Sequence, residues 1–288
     1  MRWRGGRRSD NVEDYRGRGG GGFGGGGGLK FGIGGLIAIA AAYFLGVDPR
    51  MIMSLLDARG GAPAEVSDPA TSAPQDEAGD FMSAVLADTE DTWGEIFKTL
   101  GTSYAPPRLR LYEGGTQTGC GAAGAEVGPF YCPTDQRVYI DLSFYRELAT
   151  RFQAPGDFAQ AYVLAHEVGH HVQNLLGTAD KVRAAQQRAS QSEQNQLQVR
   201  MELQADCYAG IWANHAERSR QILESGDIEE ALGAAAAVGD DLIQKRMQGH
   251  VEPESFTHGT AAQRQRWFQA GFRGGKLNDC DTFAARSL

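Results

Sequence analysis

The sequence predicts an α+β fold that is mostly α-helical, and two patterns predict it. Apolar residues recur at helical spacing over most of the chain from residue 80 to the end. Two short segments, RLRLYE (residues 108–113) and RVYIDL (residues 137–142), instead alternate polar and apolar side chains as strands do. A glycine-rich loop separates these segments, so we expect them to form a small antiparallel sheet ahead of the helix predicted over residues 157–176.

The first 30 residues are rich in arginine and glycine and carry seven basic but only three acidic side chains. The whole chain has a formal net charge of −8, so the remainder is strongly acidic. We expect residues 1–30 to form a flexible leader whose arginines contact anionic lipid rather than RNA. The acidic remainder argues against nucleic acid as a partner.

Residues 31–47 form an uncharged apolar run, FGIGGLIAIAAAYFLGV. A bilayer span takes about 20 residues, so this run lies at the short end of the range. A cleaved signal peptide and a buried core helix are the alternatives, since Ala40–Ala42 is a cluster of small residues. However, the apolar run continues past these alanines, and the glycine-rich leader offers no domain to pack against. We therefore expect one transmembrane helix, with the leader in the cytoplasm and the rest outside.

Residues 48–79 predict a linker, because Ala, Pro, Gly, Ser and acidic residues accumulate there without apolar periodicity. Residues 80–288 are long enough for one domain with a sizeable core. Its first helix starts near Asp80 and ends before Pro106 and Pro107. Further helices are predicted over residues 143–152, 157–176, part of 179–218, 228–247 and 261–272.

A metal-binding motif of the form H-E-x-x-H lies at His166, Glu167 and His170. Residues four apart share one face of a helix, so both histidines can bind one ion while Glu167 points toward a metal-bound water. Apolar residues on both sides predict a largely buried helix that Asp157 caps and Gly177 ends. A buried histidine pair without a metal would need other polar partners. The motif therefore indicates one zinc ion per chain and hydrolytic chemistry.

A zinc ion that keeps one position for water takes a third protein ligand. Glu202 is favoured because it lies on a long predicted helix with an apolar face, and Asp206 follows one turn later. A carboxylate such as Asp206 can accept the outer N–H of a ligand histidine and fix its orientation. The alternative is that both acids lie on a solvated helix face. The other candidate ligands are His171, Cys207, His215, His250 and His258.

H-E-x-x-H followed by E-x-x-A-D at residues 202–206 resembles the gluzincin pattern of zinc peptidases. Further segments resemble the bacterial putative neutral zinc metallopeptidase family over nearly the whole chain. They are the opening MRWRG, the glycine run, the apolar segment, GPFYCPTD at residues 128–135 and FTHGTAAQR at residues 256–264. The resemblance implies a gluzincin-like domain with an active-site helix, anchored in the bacterial inner membrane, with the domain in the periplasm or outside the cell.

The resemblance also implies roles for individual residues. His166, His170 and Glu202 would hold the zinc, with Asp206 supporting a histidine. Glu167 would act as general base and then general acid in the hydrolysis of protein or peptide substrates. His258 resembles a histidine that related enzymes place after the ligand helix, where it would stabilise the oxyanion; an ordinary loop histidine is the alternative.

A second hypothesis is a zinc-binding scaffold protein of the cell envelope that does not cleave. The intact Glu167 argues against it, because a purely structural zinc site has no use for this carboxylate. The sequence does not predict an oligomeric state.

Four cysteines allow three pairings. A Cys120–Cys132 disulfide would close the glycine-rich loop, and a Cys207–Cys280 disulfide would tie the C-terminal tail to the helix of Glu202. Disulfides fit an exported domain, whereas free buried thiols are the alternative for a cytoplasmic one.

Overall fold

The computed structural model describes residues 1–17 and 74–288. The transmembrane segment predicted over residues 31–47, the rest of the leader and most of the linker fall outside these ranges. Among the helices of the two described ranges, none is both long and apolar enough to cross a bilayer.

The described part is mostly helical and contains two small sheets. The helices are α1 (Glu77–Thr99), α2 (Ser143–Thr150), α3 (Asp157–Leu175), α4 (Thr178–Gln186), α5 (Gln191–Arg220), α6 (Asp227–Ala237), α7 (Asp240–Gln248) and α8 (Ala261–Gly274). The strands are β1 (Val12–Asp14), β2 (Arg108–Tyr112), β3 (Gly115–Thr118), β4 (Gly121–Gly124), β5 (Phe130–Cys132) and β6 (Arg137–Asp141).

The main sheet has the strand order β1-β2-β6-β5. The two strands predicted from the sequence, β2 and β6, are neighbours, but they pair in parallel, with Leu109 opposite Val138. The predicted antiparallel pairing is therefore wrong. The connection between them contains the β3–β4 hairpin and then β5, which itself pairs antiparallel with β6. This extra strand reverses the chain once more, which gives the long crossover that parallel neighbours require.

Residues 1–17 belong to the domain, which corrects this part of the prediction that residues 1–30 form a separate leader; residues 18–30 lie outside the described residues. Strand β1 pairs in parallel with β2, and Val12 lies opposite Leu109. Met1, Trp3 and Val12 are buried in the main hydrophobic core. The predicted domain boundary at residue 80 therefore leaves out residues 1–17, and α1 also begins three residues earlier, at Glu77.

Charged side chains of residues 1–17 form ion pairs with the rest of the domain. Glu13 of β1 is 2% exposed and accepts hydrogen bonds from three arginines on strands β2 and β6. These arginines are Arg108, Arg110 and Arg137. Further ion pairs join Arg7 to Glu90 and Asp91, Arg8 to Asp80, and Arg16 to Asp14 and Asp76.

The pairing of β1 with β2 places residues 1–17 in one fold with residues 74–288. The predicted membrane anchor over residues 31–47 lies outside the described residues. On which side the domain lies stays a prediction.

Helices α3 and α5 cross closely at the middle of the core. A Cβ atom on Gly169 of α3 would lie 3.0 Å from the carbonyl oxygen of Ala205 in α5. On the other side of α5, a Cβ atom on Gly271 of α8 would meet the carbonyl oxygen of Cys207. Only glycine allows both contacts, so these positions bring α3, α5 and α8 together where the polar motifs lie.

Both disulfides are present. Cys120 pairs with Cys132 and joins the β3–β4 turn to strand β5. Cys207 pairs with Cys280 and fastens the segment after α8 to α5. The described part of the chain contains no free cysteine.

Candidate metal centre

The three predicted ligands meet at the crossing of α3 and α5. The Nε2 atoms of His166 and His170 lie 3.2 and 3.4 Å from the same carboxylate oxygen, Oε2 of Glu202. The two imidazole rings have centroids 4.8 Å apart and are nearly perpendicular. His166 and Glu202 are both 6% exposed, so Glu202 does not lie on a solvated helix face.

The arrangement fits a zinc ion. Zinc bonds to histidine nitrogen and carboxylate oxygen are about 2.0–2.2 Å long, and tetrahedral angles then place neighbouring ligand atoms roughly 3.3–3.5 Å apart. The two distances to Oε2 of Glu202, 3.2 and 3.4 Å, lie at this spacing. Two nitrogens and one carboxylate oxygen also form a donor set that leaves one position of a tetrahedral zinc for water or substrate.

Each histidine has an acceptor on its other ring nitrogen. Nδ1 of His166 lies 2.8 Å from Oδ1 of Asp206, and Nδ1 of His170 lies 2.9 Å from Oε1 of Gln173. A proton on each Nδ1 leaves the lone pair of Nε2 directed at the metal position. The Gln173 amide in turn donates to the Met201 carbonyl of α5, which fixes which end of the amide faces His170.

Asp206 is fully buried and connects three helices. Arg264 of α8 donates to both of its oxygens, from Nε to Oδ2 at 2.8 Å and from Nη2 to Oδ1 at 2.9 Å. The hydroxyl of Tyr162 in α3 also donates to Oδ1. Arg264 therefore balances the charge of Asp206, while Tyr162 and Arg264 together fix the orientation of the carboxylate that holds His166.

The buried charges at this site shift one another's pKa values. Burial alone lowers the pKa of His166, but the charge of Asp206 and the hydrogen bonds to Asp206 and Glu202 raise it to about 10. Burial raises the pKa of Asp206, but Arg264 and His166 lower it to about 2. In the metal-free protein, the neighbouring carboxylates thus favour the protonated form of His166, and a bound zinc ion would take the place of that proton.

Glu167 follows His166 on α3 and is 8% exposed. In the described part of the chain, its carboxylate has no hydrogen-bond or ion-pair partner. Neither of its oxygens is a buried unpaired atom, so the carboxylate remains accessible to solvent. A carboxylate that is not held by a hydrogen bond or an ion pair can accept a proton and return it.

His258 lies in the loop before α8, close enough to Glu202 for each charge to affect the pKa of the other. Its Nδ1 is 3.3 Å from Oδ1 of Asp240, the first residue of α7. The other oxygen of Asp240 accepts the backbone N–H groups of Thr257, His258 and Gly259. Asp240 therefore fixes both the loop and the ring, and the His258 side chain remains 38% exposed beside the metal position.

His171 and the other candidate ligands are not at the metal position. The ring of His171 is fully buried on another side of α3, between the hydroxyl of Tyr131 at 3.0 Å and the carbonyl oxygen of Ala105 at 2.7 Å. It joins α3 to β5 and to the segment before β2. His215 bonds the Gly275 carbonyl, His250 is exposed, and Cys207 is in a disulfide.

His171 makes the protein sensitive to acid. Burial lowers its pKa from 6.5 to about 4. The unfolded chain takes up a proton near pH 6.5, whereas the folded state does so only near pH 4. Stability from this group is therefore complete above pH 6.5 and falls by about 3 kcal/mol as the pH drops to 4. We expect urea unfolding of chelator-treated protein to show this loss. The His171→Gln variant should lose less stability over the same pH range, and an equal loss would contradict the assignment.

Sequence reasoning did not find Gln173, Tyr162 or Asp240 as parts of the site. Gln173 carried a usable signal, because it lies three residues after His170 on the same helix face. Asp157, predicted as the cap of α3, is instead its first residue, and the preceding Gly156 makes no side-chain cap. The N–H of Phe158 instead donates a hydrogen bond to the carboxylate of Glu230 in α6.

Comparison with known proteins places the chain in a family. The sequence model of the family described as "Putative neutral zinc metallopeptidase" matches residues 1–283. The chain belongs to this family. The matched residues include the N-terminal strand β1.

The relatives extend over the same length. The uncharacterised protein YpfJ of Escherichia coli is 52% identical over 290 residues, which cover 98% of this chain and 99% of the relative. An uncharacterised protein of Mycobacterium tuberculosis is 45% identical over 261 residues, covering 86% of each chain. No solved structure matches the chain. Family membership thus supports a zinc-dependent hydrolase at a coarse level.

Proposed function

We propose that the protein is a zinc-dependent metallopeptidase that hydrolyses peptide bonds in protein or peptide substrates. The observation that carries the proposal is that His166 and His170 both lie at zinc spacing from one oxygen of Glu202. Beside them, the Glu167 carboxylate is accessible to solvent and has no partner among the described residues. Two histidines from one helix and Glu202 from a second helix also match the gluzincin arrangement, and we propose that class for the site.

The residues of the chain divide the chemistry among them. His166, His170 and Glu202 would hold the zinc ion, which would supply the Lewis acidity that makes water a nucleophile near neutral pH. Glu167 takes the proton of the attacking water and passes it to the leaving amine. His258 donates a hydrogen bond to the oxygen of the scissile carbonyl as negative charge develops there, while Asp240 keeps its ring in place.

The test of this function is hydrolysis of an unfolded protein by the full chain. We expect cleavage by zinc-loaded protein, loss of cleavage after chelation, and recovery on adding one equivalent of zinc. If zinc-loaded protein cleaves nothing in a broad peptide library, the peptidase proposal fails and the zinc-binding scaffold becomes the better explanation.

Replacing His258 should lower the rate of hydrolysis more than it lowers the zinc content. We expect His258→Phe to lower kcat roughly 10- to 1000-fold, because one oxyanion donor is lost, with little change in zinc content. His250→Gln is the matched control, since His250 is an exposed histidine. A His258→Phe variant with the kcat of the unsubstituted protein would show that His258 is an ordinary loop residue.

We also propose that the domain lies outside the cytoplasm, which the two disulfides support. The N-terminal residues belong to the same fold, so we now place them in that compartment as well. Labelling intact cells that carry a single engineered cysteine in the exposed loop before α8 tests the location. Labelling only after the inner membrane is broken would contradict it.

A further inference from the structure

Two buried glutamines connect His170 to the disulfide-bonded segment after α8. Oε1 of Gln173 lies 2.9 Å from Nδ1 of His170, and Nε2 of Gln173 donates to Oε1 of Gln204 at 3.1 Å. Nε2 of Gln204 donates in turn to the backbone carbonyl of Cys280 at 3.0 Å. Gln173 and Cys280 are fully buried and Gln204 is 7% exposed, so little water competes for these hydrogen bonds.

The direction of each hydrogen bond in this series is fixed. A backbone carbonyl only accepts, so the nitrogen of Gln204 must face Cys280 and its oxygen must face Gln173. The nitrogen of Gln173 then faces Gln204, and its oxygen faces His170, where it accepts a hydrogen bond. Nδ1 of His170 therefore carries the proton, and the lone pair of Nε2 is directed at the metal position. The series thus defines the tautomer of His170 that binds zinc.

Gln204 holds the Gln173 amide in a way that the Met201 carbonyl alone does not. The amide nitrogen of Gln173 has two N–H groups, and it donates to the Met201 carbonyl at 2.8 Å as well as to Gln204. One hydrogen bond allows the amide to turn about it, whereas two acceptors on one nitrogen fix the amide plane. The oxygen that faces His170 lies in that plane. Gln204 therefore orients the His170 ring through Gln173.

The segment after α8 holds Gln204 in place. Cys280 forms a disulfide with Cys207, which follows Gln204 by three residues on α5. One turn before Gln204, the Arg200 carbonyl accepts a hydrogen bond from the fully buried hydroxyl residue Thr282 at 2.7 Å. Positions 200, 204 and 207 lie on one face of α5, so the segment follows that face. The disulfide thereby keeps the Cys280 carbonyl against the Gln204 amide.

We propose that Gln204 is a positioning residue of the metal centre and that the Cys207–Cys280 disulfide acts on zinc affinity through it. Loss of either contact leaves the Gln173 amide with one fixed acceptor instead of two, so the His170 ring is less well oriented for the metal. Outer partners of metal-binding histidines change metal affinity in this way. The inference rests on the zinc site of the proposed function but not on peptide hydrolysis.

The first test is the zinc affinity of the full chain, measured by chelator competition. Gln173→Met removes the direct partner of His170, so we expect the affinity to fall roughly 10- to 100-fold. Gln204→Met should lower it by a smaller factor, roughly 3- to 10-fold, because the Met201 carbonyl still holds Gln173. Gln196→Met makes the same change at an exposed position of α5 and should leave the affinity unchanged. Equal affinities of Gln204→Met and the unsubstituted protein would overturn the proposal.

Cobalt(II) bound in place of zinc separates positioning from packing. Its visible absorption depends on the geometry of the ligands around the metal. We expect Gln204→Met to shift the spectrum of the cobalt-loaded protein in the same direction as Gln173→Met, while Gln196→Met leaves it unchanged. An unchanged cobalt spectrum in Gln204→Met, whatever the stability of that variant, would show that the residue supports packing alone and would overturn the proposal.

Combined variants test the part of the disulfide. Replacing Cys207 and Cys280 with serine should lower zinc affinity in the unsubstituted chain but much less in the Gln204→Met background, where the connection is already broken. The matched control replaces Cys120 and Cys132 with serine, and any effect of that change should be equal in both backgrounds. An equal effect of the Cys207 and Cys280 replacement in both backgrounds would overturn the coupling.

These outcomes are distinct from failure of the proposed function. Zinc binding that responds to Gln204→Met without any peptide hydrolysis would support the positioning role and contradict the peptidase. Hydrolysis with a zinc affinity that does not respond to Gln204→Met would do the reverse. If the unsubstituted chain binds no zinc, both proposals are overturned.

Discussion

Replacing Glu167 with glutamine is expected to abolish hydrolysis while leaving the metal in place. The amide has nearly the same shape but cannot accept and return a proton, so we expect kcat to fall roughly 10²- to 10⁴-fold. Zinc should remain near one per chain, because Glu167 is not among the three donor groups that meet at the site. Folding should be little affected, since this carboxylate has no partner among the described side chains that the change would remove.

Metal analysis and kinetics on the same preparation check this prediction. Glu95→Gln makes the same chemical change on an exposed position of α1 and is the matched control. If Glu167→Gln loses zinc in proportion to activity, Glu167 acts on the metal site rather than on the proton. If it keeps full activity, the assignment of the general base is wrong.

Replacing Asp206 with asparagine is expected to reduce both stability and zinc affinity. The variant leaves the Arg264 guanidinium buried beside a neutral side chain, and breaking a buried ion pair in this way costs about 3–5 kcal/mol. It also removes the carboxylate that orients His166, and loss of such a partner weakens metal binding roughly 10- to 100-fold. Urea unfolding measures the first effect and chelator competition measures the second.

A double variant separates the two effects. With Asp206→Asn and Arg264→Met together, no uncompensated charge remains, so stability should recover in part. Zinc affinity should stay low, because His166 still lacks its carboxylate partner. Full recovery of zinc binding in the double variant would show that Asp206 acts only through Arg264 and not on His166.

The candidate ligands could be predicted from the sequence because their geometry is local. His166, Glu167 and His170 have fixed relative positions once the segment is helical, and the apolar stripe around them makes it helical. Glu202 and Asp206 are likewise one turn apart on a single helix. For these residues the helical period alone determines which side chains share a face.

The N-terminal strand could not be predicted in the same way. Val12–Asp14 is three residues long, too short for an alternating pattern, and it lies between arginine- and glycine-rich segments typical of a leader. Its buried Glu13 is matched by arginines more than ninety residues away in the chain. The composition of residues 1–30 therefore gave no sign that residues 1–17 belong to the domain.

Tertiary structure alone decided how the histidines are oriented and what balances their charge. The side chains that do this act across contacts between α3, α5, α7 and α8; they are Asp206, Gln173, Arg264 and Asp240. A periodic pattern within one segment does not indicate which helices cross. The close approach at Gly169 and Gly271 sets these contacts. The sequence by itself determined a zinc-type motif on a buried helix and a partner carboxylate on another, because helical spacing is local. The packing decided the parallel sheet, the place of Met1 and the hydrogen bonds around the metal position, because these depend on distances between segments far apart in the chain.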